Sequence, residues 1–110
     1  MTQTQVPASS QSGKLSRYDV ADHLRSPDEM AAYLDAWFEE FPSDISGIAR
    51  AVGDIARAKG MTQVAKDSGL SRESLYRALS TEGNPSFSTI LKVLGAVGLR
   101  LSVSVATKDG

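Results

Sequence analysis

Apolar and polar residues recur in residues 61–79 with the spacing of two short helices joined by a tight turn. Thr62 is a suitable N-cap for the first helix, and Gly69 can adopt the left-handed conformation that ends it. Ser71 follows as the N-cap of the second helix. The apolar stripe of the second helix consists of Leu75, Ala78 and Leu79. Such a pair is typical of the helix-turn-helix, although an ordinary helical hairpin has the same parts.

An earlier helix is predicted from a start signal at residue 26. Ser26 is its N-cap, Pro27 takes the first helical position, and Glu29 completes a capping box. We expect the helix to end before Pro42. Its apolar stripe covers three turns and contains Met30, Tyr33, Leu34, Trp37, Phe38 and Phe41. The stripe is typical of a core-facing helix, but its three large aromatics near one end also suit a partner surface.

Two further helices are predicted on either side of the 61–79 pair. Ser43 is expected to cap the first of them, and Gly60 to end it. After a turn at residues 82–85, Ser86 caps the second, whose wide apolar face should lie at the centre of the core. The predicted buried residues of these helices are Ile45, Ile48, Ala49, Val52, Ile55 and Ala56, then Phe87, Ile90, Leu91, Val93, Leu94 and Val97.

Residues 99–105 alternate apolar and polar side chains with a period of two, which predicts a β-strand. Residues 18–24 show a weaker alternation that fits a second short strand. Because a lone strand leaves its edges unpaired, 99–105 should pair with residues 18–24, with its own copy in a dimer, or with both. Its contacts in such a dimer would be Leu99, Leu101 and Val103. The predicted fold is mainly α, with about five helices and a short C-terminal strand.

The length of 110 residues allows one domain with a modest core. Residues 1–16 contain almost no large apolar group, so they are predicted to form a disordered, flexible tail. The predicted single domain spans residues 17–110. It includes an acidic helical extension at 17–42 and the strand at 99–106.

The composition excludes several kinds of site and location. There is no cysteine and only one histidine, His23, so we expect a surface imidazole, no metal site and no cofactor. No apolar run approaches the roughly 18 residues of a membrane span, and no signal segment opens the chain. A soluble, cytoplasmic protein is expected. Carboxylates on helix surfaces and serines without a nucleophile motif argue against an enzyme, so no catalytic residue and no small-molecule substrate are predicted.

The charge is divided unevenly along the chain, although the net charge is only -1. Residues 1–47 hold eight acidic and three basic side chains, whereas residues 48–98 hold four acidic and seven basic ones. A basic part joined to an acidic part suggests two different partners. For the acidic part, plain solubility explains the charge equally well.

The second helix of the 61–79 pair has a polar face that suits the major groove of DNA, since the first turn of a recognition helix enters the groove. The predicted base-contacting residues are Ser71, Arg72, Glu73, Ser74 and Tyr76. Arg72 can bind guanine O6 and N7 in a bidentate manner, and Glu73 can accept from cytosine N4. The predicted phosphate contacts are Thr62, Gln63, Lys66, Arg77, Asn84 and Ser86. For any one of these side chains, a solvated helix face is the alternative.

Three segments of the sequence resemble the probable addiction-module antidote proteins, helix-turn-helix antitoxins of bacterial type II toxin–antitoxin pairs related to the HigA and Xre-type regulators. They are YDVADHL, GDIARAKGMTQVAKDSGLSRESLYRALS and NPSFSTILKVLGAVGLRLSV. The resemblance covers about residues 18–105. It implies a λ-repressor-like DNA-binding fold, a homodimer and repression of the protein's own operon in the nucleoid. The polar tail at residues 2–16 has no explanation in the family.

The resemblance also implies neutralisation of a small basic toxin of the HigB, RelE or ParE type. The acidic, aromatic helix near the N-terminus is then the candidate surface for that toxin. Its candidate residues are Tyr33, Trp37, Phe38 and Phe41, with Trp37 or Phe38 as the anchor. The alternative function is a solitary Xre-type transcription regulator, for instance of prophage origin, with no toxin partner.

Overall fold

The computed structural model describes residues 20, 22–80 and 83–106. Besides the helical residues Val20 and Asp22, the chain forms five helices that are described from end to end: α1 (Pro27–Glu40), α2 (Ile45–Lys59), α3 (Met61–Ser68), α4 (Arg72–Ala78) and α5 (Phe87–Ala96). A mainly helical bundle of about five helices is therefore confirmed. The predicted tail at 1–16 and the predicted domain start at residue 17 lie outside the described residues.

Most of the predicted helix starts are correct. The hydroxyls of Ser26, Ser71 and Ser86 each accept a hydrogen bond from the backbone N–H three residues later, at 3.0–3.1 Å. The cap of α2 was predicted one residue early. Asp44, not Ser43, accepts from the N–H of Gly47 at 2.9 Å, because Asp44 is the residue directly before the first helical turn.

The start of α3 also differs from the prediction. The helix begins at Met61 with Gly60 as its N-cap, and no side chain caps it. Thr62 therefore lies inside the first turn, because Gly60 with φ of 117° ends α2 and starts α3 at the same residue. Gly69 adopts the left-handed conformation with φ of 82°, as predicted for the end of α3.

Helices α2 and α3 form the centre of the bundle, since α2 packs against α1, α3 and α5, and α3 packs against α2, α4 and α5. Val52 and Ile55 of α2 are fully buried as predicted, whereas Ile45, which was also predicted to be buried, is 64% exposed. The prediction that α5 is apolar and central holds only for one face. Val93 and Leu94 are buried, but Phe87 is 67% exposed, so the wide apolar face of α5 is only partly covered in one chain.

The predicted strand at 99–106 is wrong for the single chain. These residues form no secondary structure, and no strand is found anywhere in the part of the chain that the structure describes. Val103 and Val105 are 97% and 92% exposed. An alternating sequence becomes a strand only when another strand pairs with its backbone, and residues 99–106 have no such neighbour among the described residues.

The weak strand predicted at 18–24 is also wrong for residues 20 and 22–24, which the structure describes and which form no strand. Tyr18, Asp19 and Ala21 lie outside the described residues, whereas Val20 and Asp22 are helical. Val20 and Leu24 are both buried in the core, where they pack among the helices. His23 is exposed, as predicted.

Candidate nucleic-acid interface

The short helix α4 is attached to the bundle by a few apolar side chains. Leu75 and the C-cap residue Leu79 are fully buried in the core shared with α2, α3 and α5. Leu70, in the turn between α3 and α4, is partly buried against the same core. The N–H groups of Gly69 and Leu70 both donate to the carbonyl of Ala65, at 3.0 and 3.2 Å, which makes the turn tight. The opposite side of α4 is therefore held in a fixed direction toward solvent.

The solvent side of α4 carries the predicted base-contacting residues, and they do lie together. All five are exposed, namely Ser71, Arg72, Glu73, Ser74 and Tyr76. Arg72 Nη2 donates to the hydroxyl of Tyr76 at 3.1 Å, and the guanidinium carbon lies 5.3 Å from the centre of the Tyr76 ring. This cation–π contact limits the conformations of the arginine before any ligand binds.

Arg77 and Glu73 form an ion pair one turn apart on α4, with 3.4 Å between Arg77 Nη2 and Glu73 Oε2. Both side chains are largely exposed, so solvent screens the pair and it adds little stability. An incoming phosphate can therefore replace Glu73 as the partner of Arg77 at low cost. The same exchange would release the carboxylate of Glu73 for a base edge.

The other predicted phosphate contacts fall into two groups. Thr62, Gln63 and Lys66 are exposed on α3, and Gln63 Nε2 donates to Asp67 Oδ1 at 2.9 Å. The amide of Gln63 has a second N–H, so this bond leaves a donor for a phosphate oxygen. Asn84 and Ser86 are exposed in the segment that leads into α5.

A second candidate surface lies on α1, where the structure separates the four aromatic residues into two pairs. Tyr33 and Trp37 are half-buried and pack against the core. Trp37 lies directly on Gly47 of α2, where an added Cβ would be only 2.5 Å from the indole. Phe38 and Phe41 are 37% and 51% exposed.

The exposed aromatics of α1 lie among acidic side chains. Asp35, Glu39 and Glu40 are all exposed on the same helix. Phe38 also lines an open groove whose other walls come from α5 and from residues 99–103. The outer face of α1 thus combines apolar area with negative charge, which suits a basic protein partner.

The sequence matches a known protein family over most of its length. The model of the family described as "Probable addiction module antidote protein" matches residues 14–105. The chain belongs to this family. A relative from Haemophilus influenzae (strain ATCC 51907 / DSM 11121 / KW20 / Rd), described as "Uncharacterized protein", is 48% identical over 90 residues, which cover 82% of this chain and 91% of the relative. No solved structure matches the chain.

Membership of an antidote family implies that the chain has a toxin as its partner. The structure offers two separate polar or mixed surfaces, one on α4 and one on α1. Among the described residues, no helix is both long and apolar enough to cross a membrane.

Sequence reasoning missed the polar contacts that join α1 to the C-cap of α4 through α2. Arg57 lies on α2, and its Nη2 donates to the carbonyl of Leu79 at 3.4 Å. Tyr33 was assigned to an apolar stripe, but its hydroxyl donates to Asp54 Oδ2 at 2.9 Å. Both partners are more than twenty residues away in the sequence, so no local spacing signals either contact.

Proposed function

We propose that this antidote protein is a DNA-binding antitoxin related to the HigA and Xre-type regulators. In this proposal α3 and α4 form a helix-turn-helix, α4 reads operator DNA in the major groove, and the protein represses its own operon in the cytoplasm. It neutralises a small basic toxin of the HigB, RelE or ParE type by binding it, and it catalyses no reaction itself.

The observation that supports DNA binding most strongly is that α4 has one side buried in the core and an opposite side that is polar and exposed. Leu75 fixes one side in the core, while the other side presents Arg72, Ser74 and Tyr76 to solvent without covering them. A short helix that is held firmly and exposes hydrogen-bonding side chains is what base recognition requires. The excess of basic over acidic residues in 48–98 supports the same assignment.

We include a homodimer in the proposal, with residues 99–105 as part of its interface. One helix-turn-helix offers few phosphate contacts, so two copies that read half-sites about 34 Å apart would bind DNA far better. Val103 and Val105 are almost fully exposed and follow the partly buried Leu99. A second copy of the same segment supplies both an apolar partner and a backbone ladder by two-fold symmetry.

Val103→Pro is expected to convert the dimer into a monomer or an aggregate, because proline removes a backbone donor from the ladder. Val103→Thr is the matched control, since threonine keeps the N–H and the β-branched shape. Sedimentation of both variants and of the wild type at micromolar concentration measures the effect. A wild-type protein that sediments as a monomer would contradict the dimer.

We place the toxin on the outer face of α1. Phe41 is half-exposed, and its ring centre lies 5.2 Å from that of Trp37, which itself rests on Gly47. The pair therefore gives a firm apolar contact point, and Glu39 and Glu40 provide negative charge beside it. Aromatic anchors of this kind often contribute most of the affinity of an interface.

Phe41→Ser is expected to weaken binding of the toxin by at least about tenfold, which corresponds to a loss of roughly 1.4 kcal/mol or more. Phe87→Ser is the matched control, because Phe87 is a similarly exposed phenyl group on α5. Titration with the purified toxin measures both. If only the Phe87 variant loses affinity, the toxin site lies on α5 instead. Deletion of residues 1–41 is less informative, since it removes the buried Met30 and Leu34.

Co-expression with the product of each neighbouring reading frame tests the antitoxin function. We expect one of these products to stop growth when expressed alone and to be harmless with this protein. If neither product stops growth while the protein still binds DNA specifically, the solitary regulator is the better description.

A further inference from the structure

A line of polar side chains runs from α1 across α2 to the end of α4. The Tyr33 hydroxyl donates to Asp54 Oδ2 at 2.9 Å, and Asp54 Oδ1 lies 3.7 Å from Arg57 Nη1. Arg57 Nη2 then donates to the carbonyl of Leu79 at 3.4 Å. Three successive contacts thus join a residue of α1 to the C-cap of α4.

At the α4 end of this line, the Arg57 guanidinium and the Leu79 carbonyl are closely packed against α2. Leu79 is fully buried, and its carbonyl lies at the C-terminal end of α4, where a positive guanidinium interacts favourably with the helix dipole. Gly53 provides the space for this contact. A Cβ on residue 53 would be 3.0 Å from Arg57 Nη1 and 3.1 Å from the Leu79 oxygen. The position of Arg57 therefore depends on close contact between α2 and the end of α4.

The α1 end of the line is partly shielded from water. Tyr33 is half-buried between α1 and α2, and burial raises the pKa of Tyr33 to about 12. The hydroxyl is protonated at neutral pH with or without this shift, and it donates to Asp54. The Asp54 side chain is only 12% exposed, so its contacts with Tyr33 and Arg57 are less screened than those on the surface.

We propose that Tyr33, Asp54 and Arg57 are positioning residues that couple α1 to the orientation of α4. DNA binding by α4 would then depend on side chains of α1 and α2 that lie outside the exposed face of α4. The link to ligands depends on the proposed function, whereas the mechanical coupling of α1 to α4 does not.

Hydrogen exchange of the full chain without any ligand tests the mechanical coupling. Tyr33→Phe keeps the ring and removes only the donor. We expect it to speed exchange of the Leu79 amide, which donates to Leu75 within α4, by about fivefold relative to the Gly69 amide at the end of α3. Asp54→Asn, which keeps the shape of the side chain, should have the same effect.

Leu34→Val is the matched control, because Leu34 is a buried residue of α1 that does not belong to the line of polar side chains. This variant should loosen the packing of α1 without changing the ratio of the Leu79 exchange rate to the Gly69 exchange rate. Equal ratios for Tyr33→Phe and Leu34→Val would overturn the proposal, and so would a Tyr33→Phe ratio equal to that of the wild type. If Tyr33→Phe does not fold, the ratio for Asp54→Asn decides by the same criterion.

DNA affinity provides the second arm of the test. The probe is a duplex selected from random-sequence DNA by the wild-type protein. Tyr33→Phe should weaken binding to it about threefold to tenfold, with no further loss in the Tyr33→Phe/Asp54→Asn double variant. Additive losses in the double variant would overturn the coupling. If no duplex is selected at all, the proposed function fails, while the exchange experiment still decides whether α1 and α4 are coupled.

Discussion

Leu75→Ala is expected to lower the free energy of unfolding by about 2–5 kcal/mol. Leu75 is fully buried and is the one residue of α4 that the core encloses completely, with the C-cap Leu79 just beyond it. Because the helix has only seven residues, it has little stability of its own and depends on this packing. Removal of the side chain leaves a cavity and should allow α4 to detach.

Chemical denaturation followed by the fluorescence of Trp37 measures this loss, since the chain has a single tryptophan and it contacts α2. Ser74→Ala is the control on the exposed side of α4 and should change stability by no more than about 0.5 kcal/mol. Equal unfolding midpoints for Leu75→Ala and the wild type would contradict the described anchoring of α4.

Arg72→Ala is expected to reduce the affinity for operator DNA by roughly 1–3 kcal/mol and to relax the preference at one base position. The contact with Tyr76 already orders the arginine in the free protein, so little conformational entropy is lost when it meets a base edge. Binding measurements with the selected duplex and with single-base variants of it, at one fixed salt concentration, report both effects.

Arg77→Ala is the matched control, because it removes the same charge from the same exposed helix. As a phosphate contact it should weaken binding to all sequences alike and reduce the salt dependence, and Gln63→Ala should likewise act on all sequences. If Arg77→Ala changes base preference and Arg72→Ala does not, the two roles must be exchanged.

The local signals in the sequence predicted the helices well. Ser26, Ser71 and Ser86 cap as expected, and Gly69 ends α3, because capping depends on residues within one turn of each other. The exposed polar face of α4 also follows from the helical period alone. Where two capping residues compete within one turn, as at Ser43 and Asp44, the sequence does not decide between them.

Features that depend on distant residues were not predictable from spacing. The strand pattern at 99–105 does not specify a partner, and the single chain offers none among the described residues. Trp37 was one of two candidate toxin anchors on a stripe that also suited the core, and its partial burial depends on Gly47 in the next helix. The contacts of Tyr33 with Asp54 and of Arg57 with Leu79 each require the assembled bundle.

Selection of duplexes from random-sequence DNA tests the central claim, DNA recognition by α4, most directly. The wild-type protein is predicted to enrich one sequence as two related half-sites whose centres lie about 34 Å apart. Arg72→Ala should enrich the same sequence with one position relaxed in each half-site. Equal binding of the folded wild-type protein to all duplexes, with no enriched sequence, would contradict the assignment of α4 as a recognition helix.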